Sequence, residues 1–394
     1  MAGRAVRIPR GTCRLFGAIK AAGGIQRSTL LVHGPKGCVY HINYILGMRG
    51  DRPSEIYSTC LDENDIIFGA EQKLRDAIEE LLCEKDPDLL VVLSCCASSI
   101  IGEDVESAVR DAGRIGRVIA LPSGGFEGDF RTGYSETLRR LAEDLAREPA
   151  TVDPRSVNLI GLLRGGPDLQ ELRRIIDWMG LRINTVLTAG ATVSEIENLG
   201  AAALNIVLCE ASGLEAAEAL QKRFNTPFIR ESLPIGPEAT LSFMHRIGEA
   251  LGIPVDLPGL GEVPEIDGSL LKDRRIAIIG GPTRALSMSR FLRDLGTMPR
   301  LVVLDFDMNK SEEISRMLGP ESRILVEPEQ EEITHALEEM GIDLVIGGLL
   351  EKPLAESLGI DHLDIMHGSQ NTLGFSGAEH LVHLLARKSQ DRRC

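Results

Sequence analysis

Asp88-Leu89-Leu90-Val91-Val92-Leu93-Ser94-Cys95-Cys96 decides the fold. The apolar run is continuous rather than alternating, and it ends abruptly in small and sulfur-bearing residues. A strand of that kind is buried on both faces, which is the signature of a parallel sheet covered by helices. Upstream, Thr29-Leu30-Leu31-Val32-His33 repeats the pattern and ends at Gly34-Pro35-Lys36-Gly37-Cys38. Between the two, Glu71 to Cys83 carries apolar residues at helical spacing.

The alternation recurs along the chain. Val157-Asn158-Leu159-Ile160-Gly161, a helix over 168–179, and Leu204-Asn205-Ile206-Val207-Leu208 ending at Cys209 form a second unit. A connector with Pro254, Pro258 and Pro264 leads to a third, where Arg275-Ile276-Ala277-Ile278-Ile279 precedes Gly280-Gly281-Pro282 and Asp343-Leu344-Val345-Ile346 precedes Gly347-Gly348. The expected fold is α/β, with three doubly wound, Rossmann-like parallel-sheet domains over 1–153, 154–267 and 268–394. Ligands in such folds gather beyond the carboxyl ends of strands, where Cys38, Cys96, Cys209 and Gly280 all fall.

At 394 residues the chain is too long for one simple core. A net charge of −15 and an aromatic content of 4% argue against nucleic acid or an anionic membrane as partner. No apolar run reaches the ~18 residues of a membrane span, and the Arg-rich start lacks a signal-peptide core, so a cytoplasmic location is expected. Neither a GxxxxGK[ST] loop nor a GxGxxG fingerprint occurs, which excludes the commonest signatures of ATP hydrolysis and nicotinamide binding. The tail Arg387–Cys394 reads as frayed.

Eight cysteines are too dilute for a disulfide scaffold, leaving metal ligation or burial as free thiols. Cys13, Cys38 and Cys96 are 25 and 58 residues apart, far from any local CxxC clamp. If their loops converge at one sheet edge they supply three thiolates, one short of the four that a cubane iron–sulfur cluster normally takes. The missing ligand would come from a second subunit, with Cys60 and Cys95 as spare candidates. A buried free cysteine also serves as a small hydrophobe, so spacing alone leaves both readings open.

His33–Cys38, Glu63-Asn64-Asp65-Ile66-Ile67-Phe68-Gly69, Cys96 with Ile101-Gly102-Glu103-Asp104, Gly133-Tyr134, Leu204–Cys209, and Met366-His367 with Gly374-Phe375-Ser376-Gly377 together resemble the component 1 subunits of nitrogenase and its relatives. The resemblance covers nearly the whole chain. It implies that Cys13, Cys38 and Cys96, spaced most like a β-type subunit, ligate an interface iron–sulfur cluster, the P-cluster or a 4Fe-4S counterpart. It further implies that Cys209 and His367 hold the two ends of an iron–molybdenum-type or all-iron cofactor, and that Gly280, Gly281 and Arg284 belong to the glycine-rich loop packed on it. The implied partners are a paralogous or identical subunit, an iron-protein ATPase that donates electrons, and a small-molecule substrate. Over 128–134, Phe130 and Tyr134 are expected where dinitrogen-reducing α subunits line the substrate pocket with Gln and His. That departure points to a nitrogenase-like reductase, with C–S cleavage of small thioethers as the favoured chemistry. The alternatives are a scaffold for assembly of such a cofactor and a tetrapyrrole reductase; Cys209 with His367 counts against the latter, which does without the large cofactor.

Overall fold

The computed structural model describes residues 11–49, 55–112, 117–126, 128–163, 165–255, 266–271, 273–366 and 370–390. Pro258 and Pro264 of the connector lie outside them. Three parallel sheets follow one another along the chain. The first comprises β1 (Ser28–His33), β2 (Glu55–Ser58), β3 (Leu89–Ser94) and β4 (Val118–Leu121), in the order β2-β1-β3-β4. The second contains β5 (Asp153–Leu162), β6 (Arg182–Thr188), β7 (Ala202–Val207) and β8 (Phe228–Arg230), ordered β6-β5-β7-β8. The third has β9 (Ile276–Gly280), β10 (Leu301–Leu304), β11 (Arg323–Val326), β12 (Leu344–Gly347) and β13 (Asp361–Asp364), ordered β11-β10-β9-β12-β13. The α/β, parallel-sheet expectation is met in all three.

Each sheet starts in its middle. After β1, β5 or β9 the chain winds outward on one side, then returns to lay the next strand on the other. The crevice between those two directions is a switch point, where the strand carboxyl ends leave room for a ligand. The three switch points therefore lie between β1 and β3, β5 and β7, and β9 and β12. Cys38 and Cys95-Cys96 follow the first pair, Cys209 follows β7 of the second with Gly161 near the end of β5, and Gly280-Gly281 and Gly347-Gly348 close the third.

Burial of both sheet faces explains the uninterrupted apolar runs. In the first sheet Leu30, Val32, Leu89, Val91 and Leu93 face one core, while Leu31, Leu90 and Val92 face another. The second sheet lies between its neighbours: Val157, Leu159, Leu204 and Ile206 share a core with Ile276, Ile278 and Leu344 of the third. On its other face, Ile160, Leu187 and Val207 join the core of the first. The helix Phe130–Asp144 crosses the helix Arg14–Ala22 at backbone contact, because Gly17 meets the Phe130 carbonyl and Gly133 the Arg14 carbonyl with no Cβ between.

Two expectations need correction. Tyr134 is 1% exposed and packs on Phe130 (centroids 5.9 Å), and Phe130, partly buried, packs in turn on Phe16 (6.1 Å), so both rings serve the first core rather than a substrate pocket. Their spacing of four on one helix puts them on its inward face. The final helix, Gly374–Gln390, also continues through Arg387–Gln390, while residues 391–394 lie outside the described part.

Candidate metal centre

The first switch point gathers thiols from three stretches of chain. Cys38 sits in the first turn of the helix Lys36–Met48, and Cys95 caps the short helix Cys96–Ile100. Gly34, at the end of β1, packs against Cys95 Sγ, so a side chain there would strike the sulfur. Cys13 precedes the helix Arg14–Ala22 and is tied by a β-bridge to Asp129. Gly125 completes the arrangement. Its N–H donates to Cys96 Sγ at 3.2 Å. A Cβ built on it would lie 3.0 Å from that sulfur and 3.3 Å from the Cys13 Cβ.

Cys95 is buried, Cys38 and Cys96 are half-buried, and Cys13 is exposed. Cys38 and Cys95 share a hydrogen bond. That bond, opposed by burial and reinforced by the Ser98 and Ala97 backbone amides, lowers Cys95 to about 6. The same bond, with burial, raises Cys38. One thiol of the pair therefore ionises readily while the other keeps its proton. Cys13 and Cys96 act on Cys38 through space as well, so all four belong to one electrostatic neighbourhood. Among the described residues no group of three or more His, Cys, Asp or Glu side chains is placed to hold a single metal ion. A mononuclear site must draw every sulfur to about 2.3 Å from one atom, whereas a cluster offers each thiolate its own iron. Cys60, the other spare candidate, is exposed in left-handed backbone (φ 53°), its carbonyl accepting from Lys73.

Around this group the surface is unusually apolar. Phe68, Phe126, Tyr40, Ile67 and Ile100 are 83, 77, 73, 71 and 70% exposed, and all come from the loops and helices that carry or flank the thiols. Beneath it, fully buried His33 meets Thr59 Oγ1 through Nδ1 at 3.0 Å and faces Glu103 at 3.8 Å through Nε2.

The second and third switch points meet at Cys209. This residue caps the helix Glu210–Phe224, and its sulfur accepts from Ser212 Oγ at 3.5 Å and Thr283 Oγ1 at 3.6 Å. Gly161 allows the approach: its φ is 83°, and a Cβ would lie 3.0 Å from the Cys209 carbonyl oxygen. At Gly280 the Met366 methyl occupies the space a Cβ would fill, while a Cβ built on Gly281 would lie 3.8 Å from the Phe306 ring. Arg131, reaching over from the first unit and held by Asp129 at 2.8 Å, stacks on that ring at 4.3 Å. Arg284 donates to Thr372 Oγ1 at 2.8 Å and lies 3.4 Å from Asp168, which is 1% exposed and binds the Thr372 amide at 2.7 Å. Its guanidinium thus clasps the 370–373 segment to the helix Pro167–Trp178. His367 lies outside the described residues; its neighbour Met366 is brought onto the glycine loop. Thr283 lies within the glycine-rich segment, whereas Asp168, Thr372 and the Arg131–Phe306 pair have no motif that marks them in sequence.

Comparison with known proteins agrees with this architecture. Residues 13–389 match the nitrogenase component 1 type oxidoreductase family. The chain is 30% identical to the nitrogenase iron-molybdenum cofactor biosynthesis protein NifE of Clostridium pasteurianum, over 94% of this chain and 85% of that one. Against the nitrogenase molybdenum-iron protein beta chain of Methanothermobacter thermautotrophicus, identity is 27% over 89% and 85%. The solved structure of nitrogenase Cp1 at pH 6.5 superposes with a TM-score of 0.88 at 22% identity, covering 100% of this chain and 96% of that chain. A three-sheet fold shared end to end and a family match of that extent leave one classification: the chain belongs to the nitrogenase component 1 type oxidoreductases. Both a cofactor biosynthesis protein and a nitrogenase beta chain stand among its relatives.

Proposed function

We propose that this chain is the cluster-binding subunit of a nitrogenase-like reductase, with Cys13, Cys38 and Cys96 as ligands of an iron–sulfur cluster at a subunit interface. The observation that carries the reading is the convergence of thiols from three separate stretches, Cys13 and Cys96 on Gly125 and Cys38 on Cys95 beside Gly34, near an exposed apolar surface. Thiols used only for packing would be uniformly buried. Here only Cys95 is; the others grade outward to exposed Cys13. The chemistry fits a soft, sulfide-rich group, and the Gly125 amide would stabilise a thiolate on Cys96. When bound, such a cluster accepts and passes on single electrons, delivered by an ATP-dependent iron protein. The chain's own contribution is to exclude water, fix the sulfurs and tune them by hydrogen bonds. The partner subunit, paralogue or second copy, would cover Tyr40, Ile67, Phe68, Ile100 and Phe126 and supply the missing ligand.

The second site fits a large cofactor held by Cys209, with His367 as its other ligand. Thr283 and Ser212 orient the Cys209 sulfur. Gly280 and Gly281 keep the loop bare of side chains, and Arg284 holds the 370–373 segment through Thr372 and Asp168. A small substrate would be reduced there, C–S cleavage of thioethers being the favoured case.

A second reading, a scaffold on which the cofactor is assembled and then released, is favoured by the 30% identity to NifE. The complex, purified anaerobically with its neighbouring subunit, separates the two. A reductase consumes a thioether substrate when supplied with the iron protein and ATP. A scaffold instead passes radiolabelled iron to an apo-enzyme and reduces nothing.

A further inference from the structure

A cavity of about 590 Å³ opens where the first and second units meet, at the amino-terminal end of β4 and so away from the carboxyl-end sites of the sheet. It is bounded by the helix Val105–Ala112, the edge strand β4, the end of the helix Phe130–Asp144, and Glu197 and Arg223 of the second unit. Five arginines line it: Arg110, Arg117, Arg140, Arg147 and Arg223. Only three carboxylates do, those of Glu106, Asp144 and Glu197, which leaves two positive charges in excess. In a chain of net charge −15 that is a local inversion of sign.

The carboxylates do not use up the guanidiniums. Glu197 is shared by Arg117 at 3.0 Å and Arg147 at 2.7 Å. Arg140 holds Asp144 at 3.0 Å, with Glu106 more distant at 3.8 Å. Arg110 meets Asp104, outside the lining, only at 3.9 Å, and Arg223 donates to the Glu143 carbonyl at 2.6 Å. A guanidinium carries five N–H donors in a planar fork, so each of these retains donors for a ligand.

We propose that this cavity is a binding site for a small oligophosphate, pyrophosphate itself or the phosphate chain of a nucleotide. Several forks converging from different elements match a compact, multiply charged anion with oxygens on all sides, the arrangement that guanidinium–phosphate pairs favour. A single carboxylate would satisfy one fork and leave the remaining excess charge unanswered. The volume lies within the usual range for small-molecule sites and exceeds what a lone phosphate fills. Because the overall field of the chain repels anions, saturable binding must come from this cluster rather than from general attraction.

Isothermal titration of the full chain with sodium pyrophosphate and, separately, with ADP tests it. The site binds pyrophosphate saturably with one site per chain, and ADP binding of equal or greater strength identifies a nucleotide as the source. Arg110→Glu, at a side chain 66% exposed, reverses one charge without touching the core, and weakens binding by about tenfold or more with the melting temperature unchanged. Arg147→Glu does the same from the second unit. Lys352→Glu, exposed on the third unit, changes net charge equally and leaves binding intact. Absence of saturable pyrophosphate binding overturns the proposal, as does equal weakening by Lys352→Glu or indifference to both arginine reversals.

Discussion

His33 lies fully buried at the end of β1, under the thiols, and its imidazole is the least hydrated ionisable ring of the first sheet. Burial holds its pKa below the ordinary 6.5, with Glu103 and Asp65 pulling the other way and Lys73 adding to the depression. Folding therefore favours the neutral ring. Stability from this group is complete above pH 6.5 and declines as the pH falls below it, because the unfolded chain takes up a proton that the folded chain refuses. Urea midpoints measured at about pH 7.5 and about pH 5.5 should drop in the wild type, and drop less in His33→Gln. An equal drop in both would remove His33 as the cause. In sequence the residue was visible as the last member of an apolar strand and the first of the His33–Cys38 motif, with nothing to show what its ring would meet. Thr59 and Glu103, which give it meaning, come from after β2 and after the helix Cys96–Ile100, and no local pattern joins them.

At the level of elements, the helix Glu63–Phe68 shows what amphipathic logic misses. Its start is well determined, because Asp62 and Asp65 form a reciprocal capping box. Yet none of its residues is buried, and Ile67 and Phe68 point outward. A six-residue helix with an exposed apolar end gains nothing from that exposure in the free chain, which is why a covering partner is inferred. Replacing both Ile67 and Phe68 with Asp should leave the thermal stability of the isolated chain within about 0.5 kcal/mol of wild type, as surface changes do. Co-purification with the partner subunit should be lost; retention of a stable complex would place the interface elsewhere. The continuous runs of β1, β3, β7, β9 and β12 were legible because both faces of each are buried. Short flanking strands such as β2 (Glu-Ile-Tyr-Ser) and β13 (Asp-His-Leu-Asp) were not, since polar residues are tolerated at or near a sheet edge. Cys95 was legible only as a spare. Its neighbour Cys96 shares the sequence context, and only the packing of Gly34 on Cys95 and Gly125 on Cys96 tells the two sulfurs apart.

Across the whole molecule, the first and third sheets each keep one core of their own on the outer face, while their inner faces share cores with the second. Ile160, Leu187, Val207, Ala216 and Leu220 of the second unit complete the core of the first, and the second sheet's other face belongs with the third. The buried apolar surface therefore runs across the divisions at 153 and 267 expected from sequence. A fragment of residues 1–153 would expose the face that those aliphatic residues cover, and is expected to lack fixed tertiary structure. Near-ultraviolet circular dichroism and dye binding check this, and a sharp cooperative melt of the fragment would show that the first unit is self-sufficient. The shared cores also hold the two candidate cluster sites in fixed relation, since the helix Phe130–Asp144 packs on both Arg14–Ala22, which follows Cys13, and Glu210–Phe224, which follows Cys209.

The most direct test of cluster ligation is iron and acid-labile sulfide content of the anaerobically purified complex, compared among wild type, Cys38→Ala with Cys96→Ala, and Cys209→Ala. The two sets of thiols should govern separate pools: the paired change removes the interface cluster, and Cys209→Ala removes the larger store while leaving the first in place. Iron that is indifferent to Cys38 and Cys96 would contradict the account.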